Sequence, residues 1–263
     1  LLGSRGLGDV YKRQIQHWFF EQNLANPDYW NQAVLLEVRE QLDVNALAQT
    51  IHQLMEHHDV LRLRALLDED GATWQQVIAQ PDGDVPLSLF DLSDLSEPER
   101  AARLEAEASK LQASLNLAEG PLLRVAHFDF GADEPSRLLV VIHHLAIDGV
   151  SWRILLEDIY VAWRQLSQGP NAAAALPRKT TSFKFWAQRI AEYATSAQVQ
   201  SEADYWLAPG RDNVAGLPVD MAVQPDLNTE ASATFVALSL SEEESAALLH
   251  EVPEVYNTQI GDV

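Results

Sequence analysis

Residues 121–166 limit the possible folds more than any other part of this sequence. "PLLRVAHFDF" (121–130) alternates apolar and polar side chains and reads as a strand. Residues 131–136 turn the chain, and "RLLVVIHHL" (137–145) runs back as its hairpin partner. A helix is expected over 151–168, because Ile154, Leu155, Asp158, Ile159, Ala162 and Leu166 fall along one stripe at helical spacing. A hairpin leading into an amphipathic helix points to a mixed α/β chain.

The flanking sequence extends that pattern. "NQAVLLEV" (31–38) reads as a short strand. "DVNALAQTIHQLMEHHDVL" places Leu47, Ile51, Leu54 and Met55 on one helical face, with Asp43 as the cap. "LRLRALLD" and "TWQQVIAQ" read as two strands joined by a turn at Glu69-Asp70-Gly71. Ser96, with Pro98 in the first turn, starts a helix. "GPNAAAALPRKT" (169–180) has linker composition. Helices are expected at 181–195 and about 201–207, a strand near 232–240, and a helix from Ser241, where Glu244 completes a capping box. The sequence contains no internal repeat.

Composition narrows the function classes. The 263 residues are 47% hydrophobic and 22% charged, which suffices for one large domain or two lobes with real cores. The net charge is −21 and no basic block occurs, so a nucleic-acid backbone is not the expected partner. There are no cysteines, which excludes disulfides, thiolate zinc sites and cysteine nucleophiles, and agrees with a reducing cytoplasm. No apolar run has the length of a membrane-spanning helix. A soluble, cytoplasmic protein is expected.

The end of the second hairpin strand carries the chemistry. In "HHLAIDG", consecutive side chains of a strand face opposite sides, so His143 and His144 cannot both address one ligand. A metal pair would want a spacing of two on a strand or four on a helix, and no metal site is expected here. One histidine is expected to pack inward, and the other to face a cleft beyond the strand end. Asp148 suits a loop hydrogen bond, a helix cap or an arginine partner. Gly149 permits a positive φ or the close approach of a ligand. Ser151 then opens the helix, whose N–H groups point back at the loop. A base beside a place that tolerates negative charge is one reading. A buried histidine pair in a structural turn fits the same spacing, and spacing does not decide between the two.

The motif His143-His144-x-x-x-Asp148-Gly149 resembles the core motif of the condensation-domain superfamily of nonribosomal peptide synthetases. Its continuation "VSWRILLEDI" resembles the epimerization branch. "IQHWFFEQNLANPDYWNQAVLLEV" from 15, "LNLAEGPLLRVAHF" from 115, "TSFKFWAQRIAEYA" from 181, "YWLA" at 205 and "YNTQIGDV" at 256 also fit, in order. The resemblance implies two chloramphenicol-acetyltransferase-like lobes with a tunnel between them. It implies inversion at Cα of an aminoacyl or peptidyl thioester held on the phosphopantetheine arm of a carrier protein, with no cofactor bound by the chain itself. An upstream peptidyl carrier domain, adenylation domains and a downstream condensation domain are the implied partners, with neither nucleic acid nor membrane among them.

By the same resemblance His144 is the proton-transfer residue. His143, Asp148 and Gly149 hold the loop, Asp148 by pairing with Arg62, while Ser151 and Trp152 are expected near the substrate. The family usually carries Phe at the position of Ala65. The alternatives are a peptide-bond-forming condensation domain, whose motif usually departs from Ser-Trp, and a catalytically silent recruitment domain, which commonly lacks the second histidine. Residues 1–14 do not resemble the family's lead-in and are expected to be foreign. The first lobe is expected over 15–170, a linker over 171–180, and the start of the second lobe over 181–263. The chain stops at "NTQIGDV" without a closing element. The second proton-transfer group, a glutamate in the family, is therefore expected beyond residue 263, and the fragment is expected to be inactive and prone to aggregate.

Overall fold

A computed structural model describes residues 12–68, 74–169, 174–179, 181–210, 215–218, 220, 229, 232–259 and 261; of residues 12–14 and 17 only the backbone is described. The expected turn at Glu69-Asp70-Gly71, most of the 1–14 lead-in and part of the 169–180 segment lie outside this set.

Helix α1 (Lys12–Glu21) directs Phe19 into the core. Strand β1 (Asn31–Val38) follows, with Gln32, Val34, Leu36 and Val38 on its half-buried face. Helix α2 (Val44–His57) starts where the Asp43 carboxylate accepts the N–H groups of Asn45 and Ala46 at 2.8 and 3.2 Å, and it buries Leu47, Ile51, Leu54 and Met55. Strands β2 (Leu63–Leu67) and β3 (Trp74–Ile78) form a separate antiparallel pair.

Strand β4 (Leu87–Asp91) is an element that the sequence pattern does not announce. Its "LSLFD" follows Pro86 and is short, and it becomes a strand by pairing in parallel with β5 (Leu123–Asp129). Between them, helix α3 (Glu97–Gln112) begins at a reciprocal cap in which Glu99 accepts the Ser96 N–H at 3.0 Å. Strand β6 (Ser136–His143) pairs antiparallel with β5, as the hairpin reading expects, and with β1 on its other side. The resulting sheet has the order β1-β6-β5-β4.

Residues 138–143 of β6 are all buried, which accounts for the unbroken apolar run. Leu138, Val140 and Ile142 join Leu47, Ile51 and Leu54 of α2 with Trp152 and Leu155 of α4 (Gly149–Leu166). Leu139 and Val141 join Ala126 and Phe128, covered by Leu104, Ala108 and Leu111 of α3. The sheet thus lies between α2 and α4 on one side and α3 on the other. This is the mixed α/β layering expected from the sequence.

The chain divides into one compact unit through Leu207 and a second from Ala208. Helix α5 (Phe183–Ala194) and the short α6 (Ala197–Ser201) and α7 (Ala203–Trp206) therefore belong with the first unit, although the composition of 171–180 suggested an earlier division. The single helix expected at about 201–207 is these last two helices, parted at Glu202. Phe183 and Trp186 of α5 line one cavity with Trp18 and Phe19 of α1, which ties that helix to the first unit.

In the second unit α8 (Glu242–Ala246) opens with the expected capping box: the Ser241 hydroxyl accepts the Glu244 N–H, and Glu244 accepts the Ser241 N–H at 2.8 Å. A π-helical turn (Ala247–Glu251) leads into α9 (Val252–Tyr256). The strand expected near 232–240 is not formed. Residues 233–240 carry no regular structure, and Phe235, Val236 and Leu238 are about nine-tenths exposed. Alternating apolar residues make a strand only where another strand takes up their backbone groups, and none does among the described residues. No helix among the described residues is long and apolar enough to cross a membrane.

Candidate active site

Strand β6 ends by separating its two histidines. His143 is fully buried, while His144 is exposed. The His143 Nε2–H donates to the Pro27 carbonyl at 2.8 Å, and its Nδ1 accepts the Leu145 N–H at 3.1 Å. Both ring nitrogens are thus satisfied by the neutral imidazole, and burial pushes the pKa below the ordinary histidine value. The edge of Phe19 packs against the ring at 5.8 Å. His143 ties the strand end to the loop before β1 and to its own turn.

His144 emerges into an open cavity of about 570 Å³, walled by Trp18, Phe19, Trp30, Ile147, Phe183 and Trp186. Its backbone N–H donates to the Trp30 carbonyl at 2.8 Å, extending the β1 pairing by one residue. The imidazole Nδ1–H donates to the Ile147 carbonyl at 2.8 Å, and Nε2 lies 3.1 Å from the Gln32 amide nitrogen. A basic imidazole against aromatic and aliphatic walls can accept a proton from a weak carbon acid. The mainly apolar walls favour an apolar ligand.

Asp148 is the cap of α4. One carboxylate oxygen accepts the Ser151 N–H at 2.7 Å and the Ser151 hydroxyl at 2.6 Å. The pairing with Arg62 implied by the resemblance is not the arrangement found. The Arg62 guanidinium donates to the carbonyls of Ala79 and Met55 and to the Asp59 carboxylate, so it supports the turn between α2 and β2. Its partners are a carbonyl in the last turn of α2, the carbonyl just after β3 and a neighbouring carboxylate, while Asp148 caps α4.

Two further expectations change. Trp152 is buried in the core and gives its indole N–H to Gln32 at 2.8 Å, so it does not line the cavity; Ser151 does. The Ser151 N–H is occupied by Asp148, and Gly149 and Val150 are not among the residues that line this cavity. Gly149 has no positive φ, and a β-carbon there would meet nothing within 4 Å. Gly149→Ala is therefore expected to keep stability within about 0.5 kcal/mol of wild type, read by chemical denaturation. A larger loss would reveal a constraint on that backbone which its geometry does not show.

Sequence reasoning missed Gln32. It is the polar residue on the strand face otherwise formed by Val34, Leu36 and Val38, and that interruption was a readable signal. Among the described residues one further cluster brings metal-ligating atoms together. Ligand atoms of His57, His58 and Asp158 lie within 4.8 Å of one another. In this structure His58 Nε2 and the Asp158 carboxylate bond each other at 2.8 Å, joining α2 to α4, and burial holds the His58 pKa low against the pull of Asp158.

Comparison with known proteins places this geometry in context. The condensation-domain family model matches residues 8–263. A linear gramicidin synthase of Brevibacillus parabrevis is 46% identical over 256 residues, and surfactin synthase subunit 2 of Bacillus subtilis (strain 168) is 35% identical over 256. Each match covers 97% of this chain, which spans only 3% and 7% of those relatives. Among solved structures, the epimerization domain from the third module of tyrocidine synthetase B is 34% identical with a TM-score of 0.78, covering 94% of this chain and 55% of that one. The starter condensation domain of rhizomide synthetase is 22% identical with a TM-score of 0.62, over 76% of this chain and 47% of that one, a likeness of fold alone.

Proposed function

Since this chain belongs to the condensation-domain family, we propose that it forms part of an epimerization domain of a nonribosomal peptide synthetase, one that inverts Cα of an aminoacyl or peptidyl thioester. The observation that carries this reading is the exposed His144, its proton on Nδ1 and its Nε2 at an aromatic-walled cavity. The 34% identity to the tyrocidine epimerization domain supports the branch. The Ser151-Trp152 continuation of the motif supports it as well.

The chemistry has two proton transfers. Once the Gln32 amide gives up its hydrogen bond, His144 Nε2 takes the Cα proton, and the electron pair moves into the thioester carbonyl to give an enolate. A proton delivered to the opposite face completes inversion. The resemblance implies a glutamate for that second step. Neutral imidazole is too weak a base for this carbon acid unless the enolate oxygen is stabilised, and the positive end of the α4 dipole beside Asp148 and Ser151 is the feature we assign to that support. The substrate reaches the cavity on the phosphopantetheine arm of a carrier domain, and this chain needs no cofactor of its own.

The test uses the intact synthetase module charged with an aminoacyl thioester in D₂O, following deuterium at Cα and the L/D ratio from either enantiomer. Deuterium entering with inversion is the expected result. Amide formation with an acceptor amine, without exchange, would replace this reading with condensation. Neither reaction from a charged, folded module would leave recruitment without catalysis.

A further inference from the structure

Gln32 lies between the imidazole and a tryptophan from a different part of the fold. Its Oε1 accepts the Trp152 indole N–H at 2.8 Å, and its amide nitrogen sits 3.1 Å from His144 Nε2. The chemistry of the three groups permits one assignment. An indole N–H only donates, so the end of the amide facing Trp152 is its oxygen. The end facing His144 is then the NH₂, also a donor, so His144 Nε2 accepts and carries no proton. At the other side of the ring the Ile147 carbonyl only accepts, which places the proton on Nδ1.

We propose that Gln32 and Trp152 are a positioning pair that holds His144 in the Nδ1–H tautomer, the Gln32 amide capping the Nε2 lone pair at the cavity until a substrate displaces it. Trp152 acts at one remove. Buried against α2 and the sheet, it fixes which way the Gln32 amide points. Among the described side chains, the titratable groups around His144 are His143 on the same strand and Asp148, which Ser151 engages. The cavity walls from α1 and α5 contribute Ile15, Gln16, Trp18, Phe19, Phe183 and Trp186, none of which titrates. The proposal rests on His144 as the proton-transfer residue only for its catalytic meaning.

The test reads His144 directly. In the intact synthetase, carbethoxylation of His144 by diethyl pyrocarbonate is followed against pH by peptide mass spectrometry, because only the unprotonated imidazole reacts. Gln32→Glu puts a carboxylate beside Nε2 and is expected to move the midpoint of the reactivity profile upward by about 1–3 pH units. Trp152→Phe frees the amide to turn its oxygen to the ring, and a smaller shift in the same direction is expected. In the deuterium-exchange assay Gln32→Glu should lose rate near neutral pH and recover it above the new midpoint. A merely structural role would not produce that recovery. An unmoved midpoint in Gln32→Glu overturns the proposal even if Trp152→Phe fails to fold. A moved midpoint in a module that exchanges no deuterium upholds the positioning role while refuting epimerization.

Discussion

Replacing His144 by alanine in the intact module is expected to lower Cα hydrogen–deuterium exchange by roughly 10²–10⁴-fold, the range that a positioned general acid–base group contributes. The fold should lose far less than the rate does. The ring is exposed, and it contributes one hydrogen bond to Ile147 and one to Gln32, which together are worth about 1–3 kcal/mol at most. Rate and stability thus separate. A variant that melts within a few degrees of wild type yet has lost exchange places the proton transfer on this imidazole. Exchange that survives the substitution would move the base elsewhere and leave His144 as a lining residue. Alanine is the better choice than glutamine here, since a carboxamide could still donate to the Ile147 carbonyl and preserve the loop, confounding the two readouts.

The neighbouring histidine is expected to give the opposite pattern. His143→Leu keeps roughly the side-chain volume but leaves the Pro27 carbonyl and the Leu145 N–H without their partner. At about 1–3 kcal/mol for each orphaned group, the loss is about 2–6 kcal/mol, measured by denaturant unfolding. Activity should fall only as far as the folded fraction does. A variant as stable as wild type would show that the turn does not depend on this ring.

His143 also links stability to pH. Burial lowers its folded pKa below the ordinary value of 6.5, and His58 and His127 are lowered by burial in the same way. A lowered pKa means that the folded state prefers neutral imidazole, while the unfolded chain takes up protons near 6.5. Stability from these groups is therefore fully present above that value, and it is lost as pH falls from there through the folded pKa values. The steepest slope is about 1.4 kcal/mol per pH unit for each histidine. The unfolding free energy of wild type should accordingly drop between neutral pH and pH 5, and more shallowly in His143→Leu. His127 adds to the slope in the same direction, because burial lowers its pKa against the pull of Asp129.

Much of the frame was legible because its causes are local. The helix over α2 was visible in Leu47, Ile51, Leu54 and Met55 and in the Asp43 cap, and its cap forms as read. The β5–β6 hairpin followed from alternation with a turn between. Elements whose existence depends on a partner were less readable. β4 is a strand because β5 lies beside it, and 232–240 is not one because nothing described pairs with it. Arg62 shows the same limit at the level of a side chain. The family resemblance implied a pairing with Asp148, but the guanidinium bonds the carbonyls of Met55 and Ala79.

The site divides along that line too. From residue order alone, the two-residue period of a strand puts one of two adjacent histidines inside and the other at the surface, and a helix cap is one of three roles open to Asp148. Those placements need no distant partner, since each follows from a few consecutive backbone torsions. Which nitrogen of His144 carries the proton depends on the folded chain. Gln32 reaches the ring across 112 residues of sequence, and Trp152 reaches Gln32 across 120. Periodicity does not encode contacts of that separation. They come from sheet register and helix packing, which bring a donor, an acceptor and a base into line only after the chain has folded.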